Sequence, residues 1–133
     1  FLSAWAITQS KRFRAAMVGA GISDWLNQHA QSNIPDADIM LIGADPLENP
    51  EAYYRSSPMT FANRVTTPAL ILHGEEDPCV PVAQAYAFYR ALRERNVPTE
   101  CIIYPRAGHG VDEQDHLRDA FTRQLHWFEK YIQ

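Results

Sequence analysis

The chain reads Leu70-Ile71-Leu72-His73-Gly74-Glu75-Glu76-Asp77 and continues Pro78-Cys79-Val80-Pro81. A short apolar run without alternation is the pattern of a strand buried on both faces, as in a parallel sheet. Pro68 to His73 is therefore expected to be such a strand, running straight into a sharp acidic loop. A second boundary of the same kind follows. Thr99 to Tyr104 reads as a strand, and Tyr104-Pro105-Arg106-Ala107-Gly108-His109-Gly110 ends it in a histidine flanked by glycines.

Working outward, Pro81 to Arg95 carries Ala85, Phe88, Tyr89 and Leu92 on one helical stripe, with Asn96 and Pro98 to end it. From Asp112 to Ile132 a longer helix is expected, with Leu117, Phe121, Leu125, Phe128 and Ile132 as its buried stripe. Upstream, Phe1 to Ser10 is apolar at helical spacing and closes on Lys11 and Arg12. Phe13 to Val18 is another short apolar run before Gly19-Ala20-Gly21, and reads as a third buried strand. Between Ile22 and Thr67 the pattern weakens. Asp36 to Ile42 and Glu48 to Tyr54 read as short helices capped by Asp36 and Asn49, with Pro50 in the first turn of the second; Ser57-Pro58 opens a further turn through Phe61 and Ala62. Strands alternating with helices imply an α/β fold: three parallel strands flanked by helices, in one unit spanning 1–133.

Composition narrows the function classes. An apolar fraction of 46% and an aromatic fraction of 11% are those of a chain with a real core. A net charge of −4 without a basic cluster argues against a nucleic-acid partner. No apolar run approaches the roughly 20 residues of a membrane helix, so no membrane partner is expected. Cys79 and Cys101 do not make a disulfide scaffold, which fits a reducing, cytoplasmic setting. His29, His116 and His126 lack metal-ligand spacing and no glycine-rich phosphate loop is present, so neither metal nor cofactor is expected.

In open α/β sheets, sites lie beyond the carboxyl ends of the strands. Asp77 and His109 both follow strand ends and so share that edge. An aspartate beside a histidine fixes the imidazole tautomer and stabilises the imidazolium formed in proton transfer. Asp77 before Pro78 also suits a plain turn, and His109 between glycines a plain loop. The order Asp then His favours the chemical reading, because α/β hydrolases run Ser, Asp, His. The glycines on either side of His109 are expected to give it an unusual backbone path. None of the serines at 3, 10, 23, 32, 56 and 57 sits in Gly-x-Ser-x-Gly; Gly21-Ile22-Ser23 gives only its first half. Cys79 reads as a loop residue, Glu75 and Glu76 as solvated carboxylates, and His73 as packing at the strand end. Trp25 follows the first strand on the same edge and suits either an apolar substrate pocket or the core.

Residues 57–132 resemble the C-terminal end of the prolyl oligopeptidase family catalytic domain, in its acylaminoacyl-peptidase and dipeptidyl-peptidase-like branch. The resemblance rests on Ser57-Pro58, Thr67-Pro68, His73-Gly74-Glu75-Glu76-Asp77, Val80-Pro81, Tyr104-Pro105, Gly108-His109-Gly110 and the closing Trp127-Phe128-Glu129-Lys130-Tyr131. It implies an α/β-hydrolase fold, Asp77 as triad acid and His109 as general base. It also places Trp25 beside the pocket for the residue before the scissile bond. In that family a helix reading like Phe1-Leu2-Ser3-Ala4-Trp5 follows the nucleophile elbow, so the serine is expected just upstream of Phe1. The implied substrates are short peptides or acylated amino acids, with esters as the alternative. The 133 residues alone are expected to be inactive, and to form a dimer or larger through the uncovered edge of the first strand.

Overall fold

A computed structural model describes residues 1–132. Three parallel strands form one sheet in the order β1 (Ala16–Gly19), β2 (Ala69–Gly74), β3 (Thr99–Tyr104). Ala16 pairs with Ala69, and Ala69 with Thr99, so the three strand ends finish at one edge. All six residues of β2 are buried, as a central parallel strand requires. Its side chains divide between two faces. Ala69 and Ile71 join Ala4 and Ile7 of α1 (Leu2–Gln9) and Phe88 and Leu92 of α5 (Ala83–Arg93). Leu70 and Leu72 join Ala120 and Trp127 of α6 (Gln114–Tyr131). Full burial of a side chain such as Ile71 or Phe88 is worth roughly 1.5–3 kcal/mol, so packing on β2, more than helix propensity, holds α5 in place.

The βαβ unit closes as its sequence predicts. Asn96 takes φ 58°, and the Val97 amide reaches back to the Leu92 carbonyl at 3.1 Å, ending α5 in a left-handed cap. Between β1 and β2 lie α2 (Trp25–Gln31), α3 (Pro35–Ile42), α4 (Pro50–Ser56) and a 3₁₀ helix, Pro58–Arg64. Asn49 caps α4 by accepting from the Ala52 amide, with Pro50 in the first turn.

Several expectations are corrected. The first strand begins at Ala16, because pairing starts where the Ala16 amide meets the Pro68 carbonyl; Phe13 is an exposed approach segment. Asp36 does not cap α3: Pro35 occupies the first turn, Ile34 is the cap position, and Asp36 adds only its charge to that turn. The irregular region holds a helix, α2, that periodicity does not reveal. Asp24 caps it by accepting from the Leu26 and Asn27 amides. The stripe expected to bury α6 is largely outside: Phe121 is 67% exposed, Leu125 59% and Ile132 54%, whereas Ala120 and Trp127 are buried. The helix is thus turned by about one residue from the apolar stripe, which leaves Leu117 and Phe128 half-buried beside β1 and the other three largely exposed.

Candidate active site

The acidic loop after β2 is built from hydrogen bonds inward. Asp77 is 5% exposed, and its Oδ1 accepts from the Cys79 and Val80 amides, both at 2.9 Å. This is the turn that Asp-Pro favours. Oδ2 accepts from His109 Nδ1 at 2.8 Å, and His73 Nε2 lies 3.3 Å from the same oxygen. The turn and the histidine pair are therefore not rival roles for Asp77; each takes one oxygen.

All three carbonyls of Pro78-Cys79-Val80 are held as well. The Asn33 amide donates to the Pro78 carbonyl at 2.9 Å. Gln28 Nε2 and Ser32 Oγ donate to the Cys79 carbonyl, each at 2.7 Å. His73 Nε2 donates to the Val80 carbonyl at 2.7 Å. The end of α2 thus clamps the loop from outside, while His73 fastens it to β2. A second buried knot holds the loop after β1. Gln84 Oε1 accepts from the Ser23 amide, the Ser23 hydroxyl and the Asp24 amide, and Gln84 Nε2 donates to the Asp24 carbonyl. Periodicity gives no signal for Gln28, Ser32 or Gln84; each works through contacts to backbone remote in sequence, one for Gln28 and for Ser32 and three for Gln84.

His109 is positioned differently from the sequence expectation. Neither Gly108 nor Gly110 has a positive φ; the left-handed residue of this loop is Arg106, at φ 62°. The glycine that matters is Gly74, on β2. A Cβ there would collide with the carbonyl oxygens of Ala107 and Gly108, so only glycine lets the His109 loop lie against the strand end. The Glu75 amide donates to the Tyr104 carbonyl, and the Glu76 amide to that of Ala107, tying the two loops together. Arg106 and Glu113 form a bidentate pair at 3.0 and 2.8 Å on the outer surface.

With Nδ1 committed to Asp77, the half-exposed imidazole of His109 keeps Nε2 for chemistry. His109 borders a cavity of about 540 Å³ whose walls include Phe1, Gly19, Leu72, Tyr104 and Phe121. Burial, reinforced by the hydrogen bond from its hydroxyl to Asp119, pushes the Tyr104 phenol up to about 12. Asp119 is itself held below its ordinary value, first by the hydrogen bond from Arg123. Trp25 is buried against Phe1, ring centroids 5.3 Å apart, and its amide donates to Ser57 Oγ. It does not line the cavity beside His109.

Ser23 and Ser57 are buried and bonded elsewhere, and among the described residues no serine hydroxyl is hydrogen-bonded to His109. Cys79 and Cys101 are free thiols. No cluster of three or more His, Cys, Asp or Glu among the described residues is arranged to hold a metal ion. No helix among them is long and apolar enough to cross a membrane.

Comparisons with known proteins bear on the family and the fold. Peptidase YuxL of Bacillus subtilis (strain 168) is 33% identical over 137 residues, covering 99% of this chain and 21% of its own length. The acylamino-acid-releasing enzyme of Rattus norvegicus is 30% identical over 124 residues, covering 89% of this chain and 16% of its own. The chain thus spans about a fifth of the length of such relatives. Among solved structures, the Pyrococcus horikoshii acylaminoacyl peptidase superposes with a TM-score of 0.93 at 32% identity, over 98% of this chain and 22% of that one. The three-stranded sheet and its helices are therefore part of the α/β-hydrolase architecture of that peptidase. All of residues 1–133 match the prolyl oligopeptidase family, and the chain belongs to it.

Proposed function

We propose that these residues supply the acid and the base of a serine hydrolase acting on short peptides or N-acylated amino acids. The observation that carries this reading is the 2.8 Å bond between a fully buried Asp77 carboxylate and a half-exposed His109. The nucleophilic serine lies outside the 133 residues. His109 Nε2 takes the serine proton as the hydroxyl attacks the substrate carbonyl, and the Asp77 carboxylate stabilises the imidazolium. His109 then gives that proton to the leaving amine. Water, deprotonated by the same nitrogen, attacks the acyl-enzyme and releases the acid. The substrate class follows the relatives, which include several acylamino-acid-releasing enzymes. Turnover of an N-acyl aminoacyl amide and an aryl ester by the chain extended upstream through its serine tests this reading. Preference for the amide supports a peptidase; an ester-only activity replaces it with an esterase. The 133 residues alone are expected to show no acyl-enzyme burst.

A second reading concerns self-association. β1 lies at an edge of the sheet, and its flank carries Leu2, Phe13 and Phe121, all exposed. A second copy pairing there about a two-fold axis would cover both the open strand and the apolar side chains. Light scattering on the 133-residue chain decides this: a dimer or larger is expected, and a monomer across micromolar concentrations rejects it.

A further inference from the structure

We propose that His73 is a positioning residue for this reaction, acting through Asp77. The proposal rests on the Asp77–His109 reading above. His73 is the penultimate residue of β2, its side chain fully buried, two residues before Glu75 opens the acidic loop. Its Nε2 lies 2.7 Å from the Val80 carbonyl, which can only accept. Nε2 therefore carries the hydrogen. The same nitrogen lies 3.3 Å from Asp77 Oδ2, the oxygen that takes the His109 bond; its hydrogen bond goes to Val80, and towards Oδ2 it presents the positive edge of the ring. One ring nitrogen thus bonds the Val80 carbonyl and stands 3.3 Å from the carboxylate three residues before it.

The consequence is directional. Oδ1 is fixed by two amides, but those bonds alone leave the carboxylate free to rock about the Oδ1 position. His73 Nε2 stands beside Oδ2 at 3.3 Å, a second neighbour to the oxygen besides His109. It also braces the Val80 carbonyl, whose amide in turn braces Oδ1. The His109 imidazole then has one place to receive its Nδ1–H bond, so Nε2 has one direction.

Filling space at a strand end does not account for these contacts. His73 Nδ1 is buried and has no hydrogen-bond partner, a cost that an apolar side chain of similar size would avoid. What an apolar side chain cannot do is donate to Val80 while holding a polar N–H edge 3.3 Å from Asp77 Oδ2. The imidazole is explained by its Nε2–H and by nothing else it touches through hydrogen bonds.

Position along the side chain makes this testable. A glutamine amide nitrogen reaches about as far as His Nε2 and has two hydrogens, one for each acceptor. An asparagine nitrogen stops near the level of Nδ1. In the chain extended upstream through its serine, His73→Gln is expected to keep kcat within about fivefold. His73→Asn and His73→Phe should lose roughly 30–100-fold in kcat with KM within about twofold, the pattern of a misplaced catalytic group. Equal loss in the Gln and Asn variants, or full activity in the Phe variant, overturns the proposal.

A second measurement needs neither nucleophile nor substitution. Imidazole ¹⁵N–¹H correlation on the 133-residue chain should show His73 protonated at Nε2; an Nδ1–H tautomer overturns the proposal outright. The same spectra of the variants should keep the His109 Nδ1–H signal in Gln and lose or broaden it in Asn and Phe. An unchanged signal in all three also overturns the proposal. Failure of the function reading looks different: hydrolysis would be absent, or indifferent to Asp77→Asn, while these spectra still report on His73.

Discussion

Replacing Asp77 by Asn tests the site most directly, because the structure dictates how the amide must sit. Two amides, from Cys79 and Val80, point at Oδ1 from 2.9 Å. Turning the Asn amide so that its NH₂ met them would set three donors against one another. The carbonyl oxygen therefore stays at the Oδ1 position, and the NH₂ takes the place of Oδ2. There it faces His109 Nδ1 at 2.8 Å and His73 Nε2 at 3.3 Å. His109 can answer only by moving its hydrogen to Nε2 and accepting at Nδ1. The ring remains in place, but the nitrogen that must take the serine proton no longer has a lone pair. In serine proteases this change costs about 10⁴ in kcat, or roughly 5 kcal/mol of transition-state stabilisation. The same loss is expected here, with the fold retained because the Oδ1 bonds survive. The assay is kcat for an N-acyl aminoacyl amide in the chain extended upstream through its serine, alongside ¹⁵N detection of the His109 tautomer in the 133-residue chain. A loss below about tenfold would refute the reasoning, as would an unchanged Nδ1–H tautomer.

Two further predictions follow from neighbouring contacts. Gly74→Ala drives a methyl into the backbone oxygens of Ala107 and Gly108, so the His109 loop must lift from β2; about 1–3 kcal/mol of stability should be lost by urea titration, and kcat should fall by roughly 10²-fold. Burial raises the Cys101 thiol from 9.0 to about 11, so at pH 8 its thiolate is roughly 100-fold scarcer than in the unfolded chain and alkylation followed by mass spectrometry should be slower to match. Because the folded value is the raised one, the stability linked to Cys101 is fully present below pH 9.0 and is lost as pH rises through about 11. A pH-independent unfolding midpoint across that window in the wild type, with no difference from Cys101→Ser, would count against it.

The sheet was the legible part of this chain because a buried parallel strand writes its burial on both faces into consecutive residues. Leu70, Ile71 and Leu72 point to opposite cores, yet all three are apolar for the same reason. Asp77 and His109 were legible because each follows such a strand. The failures share a different physics. Phe121 and Leu125 mark an apolar face of α6, but periodicity cannot say which element covers a face; in the structure both stay exposed, Phe121 on the wall of the cavity beside β1. Helix α2 was missed because its core contacts are few: only Trp25 and Gln28 are buried in it. Its importance lies in Gln28 and Ser32 reaching the Cys79 carbonyl, 51 and 47 residues away. The sequence names the candidate residues at strand ends, where local pattern and site position coincide. It is silent on the residues that aim them, because aiming is done by single hydrogen bonds to backbone atoms, and a backbone carbonyl has no letter of its own.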